Sequence, residues 1–192
     1  MHMTRLAFIL SLASAALPAA GAVAIGERLQ PFALKDATGK DVDLGSLQGR
    51  KAVVLMFIST QCPVSNAYND RMAALAGEYA GRGVAFLGIN SNREEAPAQI
   101  AEHAAKHGFG FPVLKDVGNV QADRFGAQVT PEVYVYDSSW VLRYHGRIDD
   151  DRSGASIQSQ DLRTALDALL GGKPVPVAQT KAFGCTIKRV AQ

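Results

Sequence analysis

The chain is short of cysteine: its 192 residues include only Cys62 and Cys185. Two cysteines cannot staple a disulfide-rich scaffold, so a hydrophobic core has to hold the fold together. An excess of one charge sign is lacking too, with 20 Lys and Arg against 18 Asp and Glu. The basic residues form no block, which leaves no electrostatic basis for binding nucleic acid or an anionic membrane surface. Beyond the first two dozen residues there is no internal repeat or low-complexity tract, so a repeat array is excluded. The apolar stretch "LAFILSLASAALPAA" is too short and too rich in alanine for a comfortable membrane span. What remains, 47% apolar and 20% charged, is the composition of one globular domain with a sizeable core.

Arg5 precedes that apolar stretch, and "AAGAVAIG" after it offers Ala-x-Ala cleavage sites following Ala22 or Ala24. This is the layout of a secretory signal peptide, against which stands a retained membrane anchor. Residues 1–24 are therefore read as the signal, 25–172 as the folded domain and 173–192 as a C-terminal tail carrying Cys185. The expected location is exported, periplasmic or extracellular, with no stable membrane span after cleavage. Without residues 1–24 the chain carries 19 basic and 18 acidic side chains, a net +1. Outside the cytoplasm its two cysteines are free to pair.

"PFALKDATGKDVDLGSLQG" reads as two short strands around a turn at Thr38-Gly39-Lys40. "AVVLMFIS" (Ala52–Ser59) is an unbroken apolar run, as for a strand buried on both faces. Tyr68, Met72, Leu75 and Tyr79 then recur at steps of four, three and four, which puts them on one helical face. "VAFLGIN" is a second buried strand, and a helix is expected from about Glu94 to His107 with Pro97 in its opening turn. A short strand "FPVLKD", a short helix closed by Gly126, a hairpin made by "PEVYVYD" and "WVLRYHG", and a last helix through Leu162 and Leu170 follow. The order β-α-β-α-β-(α)-β-β-α predicts an α/β fold: a central mixed sheet flanked by helices, then an extended tail.

Cys62 sits where a central strand hands over to a helix. First-turn amides there are unpaired and partly positive, so they favour a thiolate, the reactive form of cysteine. Pro63 suits the first helical turn. Ser59, Thr60 and Ser65 are placed to donate their hydroxyls to the sulfur. The competing reading is a buried, inert cysteine that packs as a small hydrophobe.

"STQCPVS", "RGVAFLGINSN", "FGFPVLKD", "VTPEVYVYD" and "LRYHGRIDD", in this order, resemble the thioredoxin-like redoxins. The likeness is to the peroxiredoxin-like branch related to alkyl hydroperoxide reductase and thiol-specific antioxidant proteins, and it covers about residues 26 to 170. It implies a thioredoxin fold with Cys62 as the attacking thiol on a peroxide or a protein disulfide. The reading needs an external thiol reductant and calls for no cofactor and no metal. Pro131 in "VTPE" would be a cis proline beside the thiol, with Thr130 and Pro131 shaping the substrate groove.

The chain departs from this family in two ways. Ser65 stands where a second cysteine of Cys-x-x-Cys would be, and Leu55 stands where a peroxiredoxin has proline. The arginine of a peroxiredoxin site would have to come from Arg124, Arg143 or Arg147. Cys185 in "KAFGC" is the candidate partner. It either resolves a sulfenic acid on Cys62 or forms a permanent bridge, whose loop of more than a hundred residues would add roughly 4–5 kcal/mol of stability.

A copper chaperone is the alternative, with Cys62, Cys185 and one of His103, His107 or His145 as soft ligands. His103 and His107, four apart, otherwise read as a solvated helix end. "RIDDDR" (Arg147–Arg152) lacks the spacing of a calcium loop and reads as a charged loop.

Overall fold

The computed structural model describes residues 23–191, so nearly all of the leader assigned to 1–24 lies outside the described residues. Its elements are β1 (Ala33–Lys35), β2 (Asp41–Asp43), β3 (Ala52–Phe57), α1 (Pro63–Ala67), α2 (Asn69–Ala80), β4 (Val84–Asn90) and α3 (Pro97–Lys106). There follow β5 (Val113–Lys115), α4 (Val120–Phe125), β6 (Val129–Thr130), β7 (Glu132–Asp137), β8 (Leu142–Gly146), α5 (Asp161–Leu170) and β9 (Cys185–Thr186). The central sheet runs β5-β4-β3-β7-β8. β3, β4 and β5 are parallel because helical crossovers join them, while β7 runs antiparallel to β3 and β8, joined to β7 by a hairpin, runs antiparallel to β7.

All six residues of β3 are buried, and they alternate between two cores. Ala52, Val54 and Met56 meet Met72, Leu75 and Tyr79 of α2 and Leu162, Ala165 and Leu166 of α5. Val53, Leu55 and Phe57 meet Leu44, Ala122 and Phe125 on the other face. Helices on both faces explain why the run is apolar throughout rather than alternating. Among the described residues no helix is long and apolar enough to cross a membrane.

Three local differences from the sequence reading bear on function. The helix expected from Glu94 starts at Pro97, since the residue before proline is held extended and Ala96 has ψ 150°. Glu94 and Glu95 therefore sit in the preceding turn. The helix after Cys62 is interrupted at Tyr68 (φ −98°, ψ −2°), which separates α1 from α2.

The third difference is the tail, which adds a strand to the domain. β9 pairs antiparallel with β6, with Val129 opposite Thr186 and Thr130 opposite Cys185. Upstream of Cys185, His145 N donates to Ala178 O and Thr180 N to His145 O, both at 3.0 Å. Downstream, Ile187 N donates to Gln128 O at 2.9 Å, and Ile187 is buried in the second core. Lys188 N then donates to Asn92 Oδ1 and Val190 N to Asn119 Oδ1, each at 2.7 Å. The tail is thus held on both sides of Cys185.

Candidate active site

Cys62 is the N-cap residue of α1, with extended backbone (φ −80°, ψ 117°) and Pro63 in the first turn. The Ser65 amide donates to its Sγ at 3.3 Å, so the sulfur takes the place that a serine or aspartate oxygen usually fills in capping a helix. The thiol donates to Thr130 O, also at 3.3 Å. The Thr130–Pro131 peptide is cis. Only 3% of Cys62 is exposed, whereas Cys185 is half-buried.

Because Cys185 stands opposite Thr130 in the β6–β9 register, the second thiol arrives beside the first. The Cys62 thiol bonds the carbonyl of Thr130, the residue that Cys185 faces across the ladder, so both cysteines meet at the same peptide. Both cysteines are free thiols. Burial pushes the Cys62 thiol up. The neighbouring Cys185 thiol and the Ser65 amide outweigh it and hold Cys62 below the ordinary cysteine value. The Thr130 hydroxyl is buried and has no hydrogen-bond partner. Cys185 moves the opposite way, raised by burial, by its hydrogen bond to Cys62 and by the charge of the Cys62 thiolate.

The hydroxyls of Ser59, Thr60 and Ser65 do not bond the sulfur, contrary to the sequence reading. Ser59 Oγ accepts the Cys62 amide at 3.0 Å and donates to Glu95 Oε1 at 2.5 Å. Thr60 gives its amide (2.7 Å) and hydroxyl (2.8 Å) to Glu95 Oε2. Ser65 Oγ accepts the Ser59 amide at 3.2 Å. These hydroxyls build the loop instead, and those of Ser59 and Thr60 are directed at a buried carboxylate, Glu95.

Glu95 is 1% exposed and also accepts from Asn90 Nδ2 (2.6 Å) and Asn92 Nδ2 (2.8 Å). Burial raises its pKa, but donation led by Ser59 and Thr60 outweighs this and keeps the carboxyl below its ordinary value. Asn92 also holds Lys188 N of the tail, so one side chain links the tail to the network under the thiol loop.

A second buried acid, Glu132, follows Pro131. It accepts from His145 Nε2 (2.7 Å), the Gln128 amide (2.8 Å), Tyr134 Oη (2.9 Å) and the Val129 amide (3.1 Å). Burial raises this carboxyl and donation led by His145 outweighs it, leaving it depressed. The signal available in the sequence was a lone acid heading an apolar strand, "PEVYVY".

The three candidate arginines are committed elsewhere. Arg124 bonds Gln30 O, Arg143 pairs with Asp137, and Arg147 pairs with Asp161. His103 stacks near His107 (4.5 Å between rings) and meets Asn69, while His145 is held by Glu132. Among the described residues no three His, Cys, Asp or Glu side chains are grouped to hold a metal, so the proposed copper set does not come together. In "RIDDDR", Asp149 is buried rather than solvated, accepting from Arg71 (2.6 Å) and Tyr68 (3.0 Å).

A cysteine at a helix N-cap facing a cis proline, over a β5-β4-β3-β7-β8 sheet, defines a thioredoxin-like redoxin. The chain belongs to the AhpC/TSA family, whose pattern matches residues 25–150. It is 31% identical over 123 residues to the thiol-disulfide oxidoreductase ResA of Halalkalibacterium halodurans, a match covering 64% of this chain and 65% of ResA. The chain thus spans just under two thirds of that curated relative's length. A hypothetical protein of Sinorhizobium meliloti 1021 superposes with a TM-score of 0.84 at 37% identity, covering 90% of this chain and 98% of that one. Peroxidoxin BcpB of Mycobacterium tuberculosis shares the fold, with a TM-score of 0.56 at 21% identity over 77% of this chain and 94% of its own.

Proposed function

We propose that the protein is an exported thiol oxidoreductase in which Cys62 is the nucleophile and Cys185 the resolving thiol. With a hydroperoxide, the Cys62 thiolate attacks the terminal oxygen and the O–O bond breaks. The alkoxide or hydroxide leaves with a proton, and Cys62 becomes a sulfenic acid. The Cys185 sulfur then attacks the Cys62 sulfur, water leaves, and a Cys62–Cys185 disulfide forms. Two equivalents of an external thiol reduce it and are themselves joined as a disulfide. With a disulfide substrate, Cys62 displaces one thiol to form a mixed disulfide, and Cys185 displaces the other.

One observation carries this reading: two free thiols meet at Thr130, one bonding its carbonyl and the other opposite it in the ladder, and their environments push their acidities apart, Cys62 down and Cys185 up. The thiol that ionises first is the one at the N-cap, as a nucleophile requires. Family membership supports the chemistry, and the leader-like residues 1–24 support export. The test is a pair of variants. Cys62→Ser is expected to abolish consumption of peroxide or disulfide. Cys185→Ser is expected to leave sulfenic acid or a mixed disulfide on Cys62. Full activity in Cys62→Ser would remove the proposal.

A further inference from the structure

In the described chain β9 lies along the backbone of Val129–Thr130, the segment that ends at the cis proline. An extended polypeptide presenting a disulfide to Cys62 would need the same backbone groups, since strand addition to an open edge is the usual way to hold an extended chain. The place is filled from within the molecule. The approach is close enough that a Cβ at Gly184 would overlap the Thr130 carbonyl oxygen. A second clearance lies upstream, where a Cβ at Gly146 would overlap the Thr180 side chain. Both glycines mark points where the tail meets the body, one on each partner. Phe183 packs into the first core beside Tyr68, with ring centres 6.3 Å apart, and Ile187 is buried in the second. Apolar anchors therefore flank Cys185 on either side. Arg189 adds a bond to Asp123 at 2.7 Å and reaches Ala127 O.

We infer that the tail strand, seated by Gly184, is a built-in occupant of the groove beside the cis proline, reserving Cys62 for small electrophiles of hydroperoxide size and closing it to extended polypeptide disulfides. The inference rests on the reading of Cys62 as nucleophile. Cys185 then has two duties fixed by one backbone: it resolves Cys62, and the strand that carries it excludes competing chains. A polypeptide gains access only in the fraction of molecules whose tail has lifted, and its apparent rate falls by that fraction.

The experiment uses the reduced protein and three reagents: hydrogen peroxide, a small aromatic disulfide of cysteine, and the same aromatic disulfide on the central cysteine of an extended ten-residue peptide. Peptide mapping reads modification at Cys62. In the wild type the small disulfide is expected to modify Cys62 more than about tenfold faster than the peptide. In Gly184→Ala the peptide rate is expected to rise about tenfold while the small-disulfide rate changes less than about threefold. Arg189→Ala, which removes only outer anchors, is expected to shift the same ratio by a smaller factor and serves if Gly184→Ala does not fold.

Equal rates for peptide and small disulfide in the wild type overturn the inference. A ratio unchanged in the loosened variant also overturns it, while leaving Cys62 as nucleophile. If peroxide and both disulfides leave Cys62 untouched in every protein, the nucleophile reading itself fails.

Discussion

Ser59 Oγ and Glu95 Oε1 lie 2.5 Å apart, and the same hydroxyl accepts the Cys62 amide. Glu95 receives five donors in all: the Ser59 hydroxyl, the Thr60 amide and hydroxyl, and the Asn90 and Asn92 amides. A glutamine in its place would turn an NH2 group toward donors. Glu95→Gln is therefore expected to lose about 2–3 kcal/mol in urea unfolding, with slower alkylation of Cys62. A loss under about 0.5 kcal/mol, the size of an ordinary surface substitution, would show that the network does not hold the loop.

Acid should unfold the protein through its depressed carboxyls. Glu95 and Glu132 have folded pKa values below their ordinary ones. Each thus contributes stability that is complete above the unfolded value, about 4.3 for glutamate, and that disappears as pH falls through the folded value. Stability measured across this range should decline on the acid side in the wild type. It should decline less steeply in Glu95→Gln and Glu132→Gln. Identical acid limbs in all three proteins would contradict the assignment.

The two thiols should titrate apart. Alkylation of Cys62 is expected to follow a midpoint below the ordinary cysteine value of about 8.5, with that of Cys185 above it. In Cys185→Ala the Cys62 midpoint should rise, because the neighbouring thiol that favours its thiolate is lost. A Cys62 midpoint unmoved by that change would mean that the helix terminus alone sets its acidity.

Arg71 closes the loop after β8. It bonds the buried Asp149 at 2.6 Å and the Asp151 carbonyl at 2.7 Å, reaches Arg152 O, and lies over the Tyr68 ring at 3.8 Å. Arg71→Ala leaves the buried Asp149 carboxylate without its charged partner, with only the Tyr68 hydroxyl and the Asp151 amide as donors, and should destabilise the fold by about 3 kcal/mol. Thermal unfolding checks this, and an unchanged midpoint would count against it.

The sheet, its helices and the position of Cys62 were legible in the sequence because they follow from local signals: unbroken apolar runs, a four-three-four spacing, and a cysteine and proline at a strand-to-helix junction. Glu95 was not legible. It sits beside Glu94 in a charged turn, and only long-range folding brings Ser59 and Thr60 over it. Hydroxyls near a thiol suggested donors to sulfur, but a buried carboxylate competes for them and binds them more strongly. Strand β9 escaped for a related reason: a two-residue strand has no periodicity, and its pairing depends on a loop more than fifty residues upstream.

The central claim is that Cys62 and Cys185 act as one redox pair. Intact mass of the reduced protein after one equivalent of hydrogen peroxide, with the rate of Cys62 loss, tests it most directly. The account predicts a mass lower by two hydrogens, a Cys62–Cys185 peptide in the digest, reversal by added thiol, and a rate above that of free cysteine. Accumulation of an oxygen adduct on Cys62 with Cys185 still reduced, or a rate no greater than that of free cysteine, would contradict it.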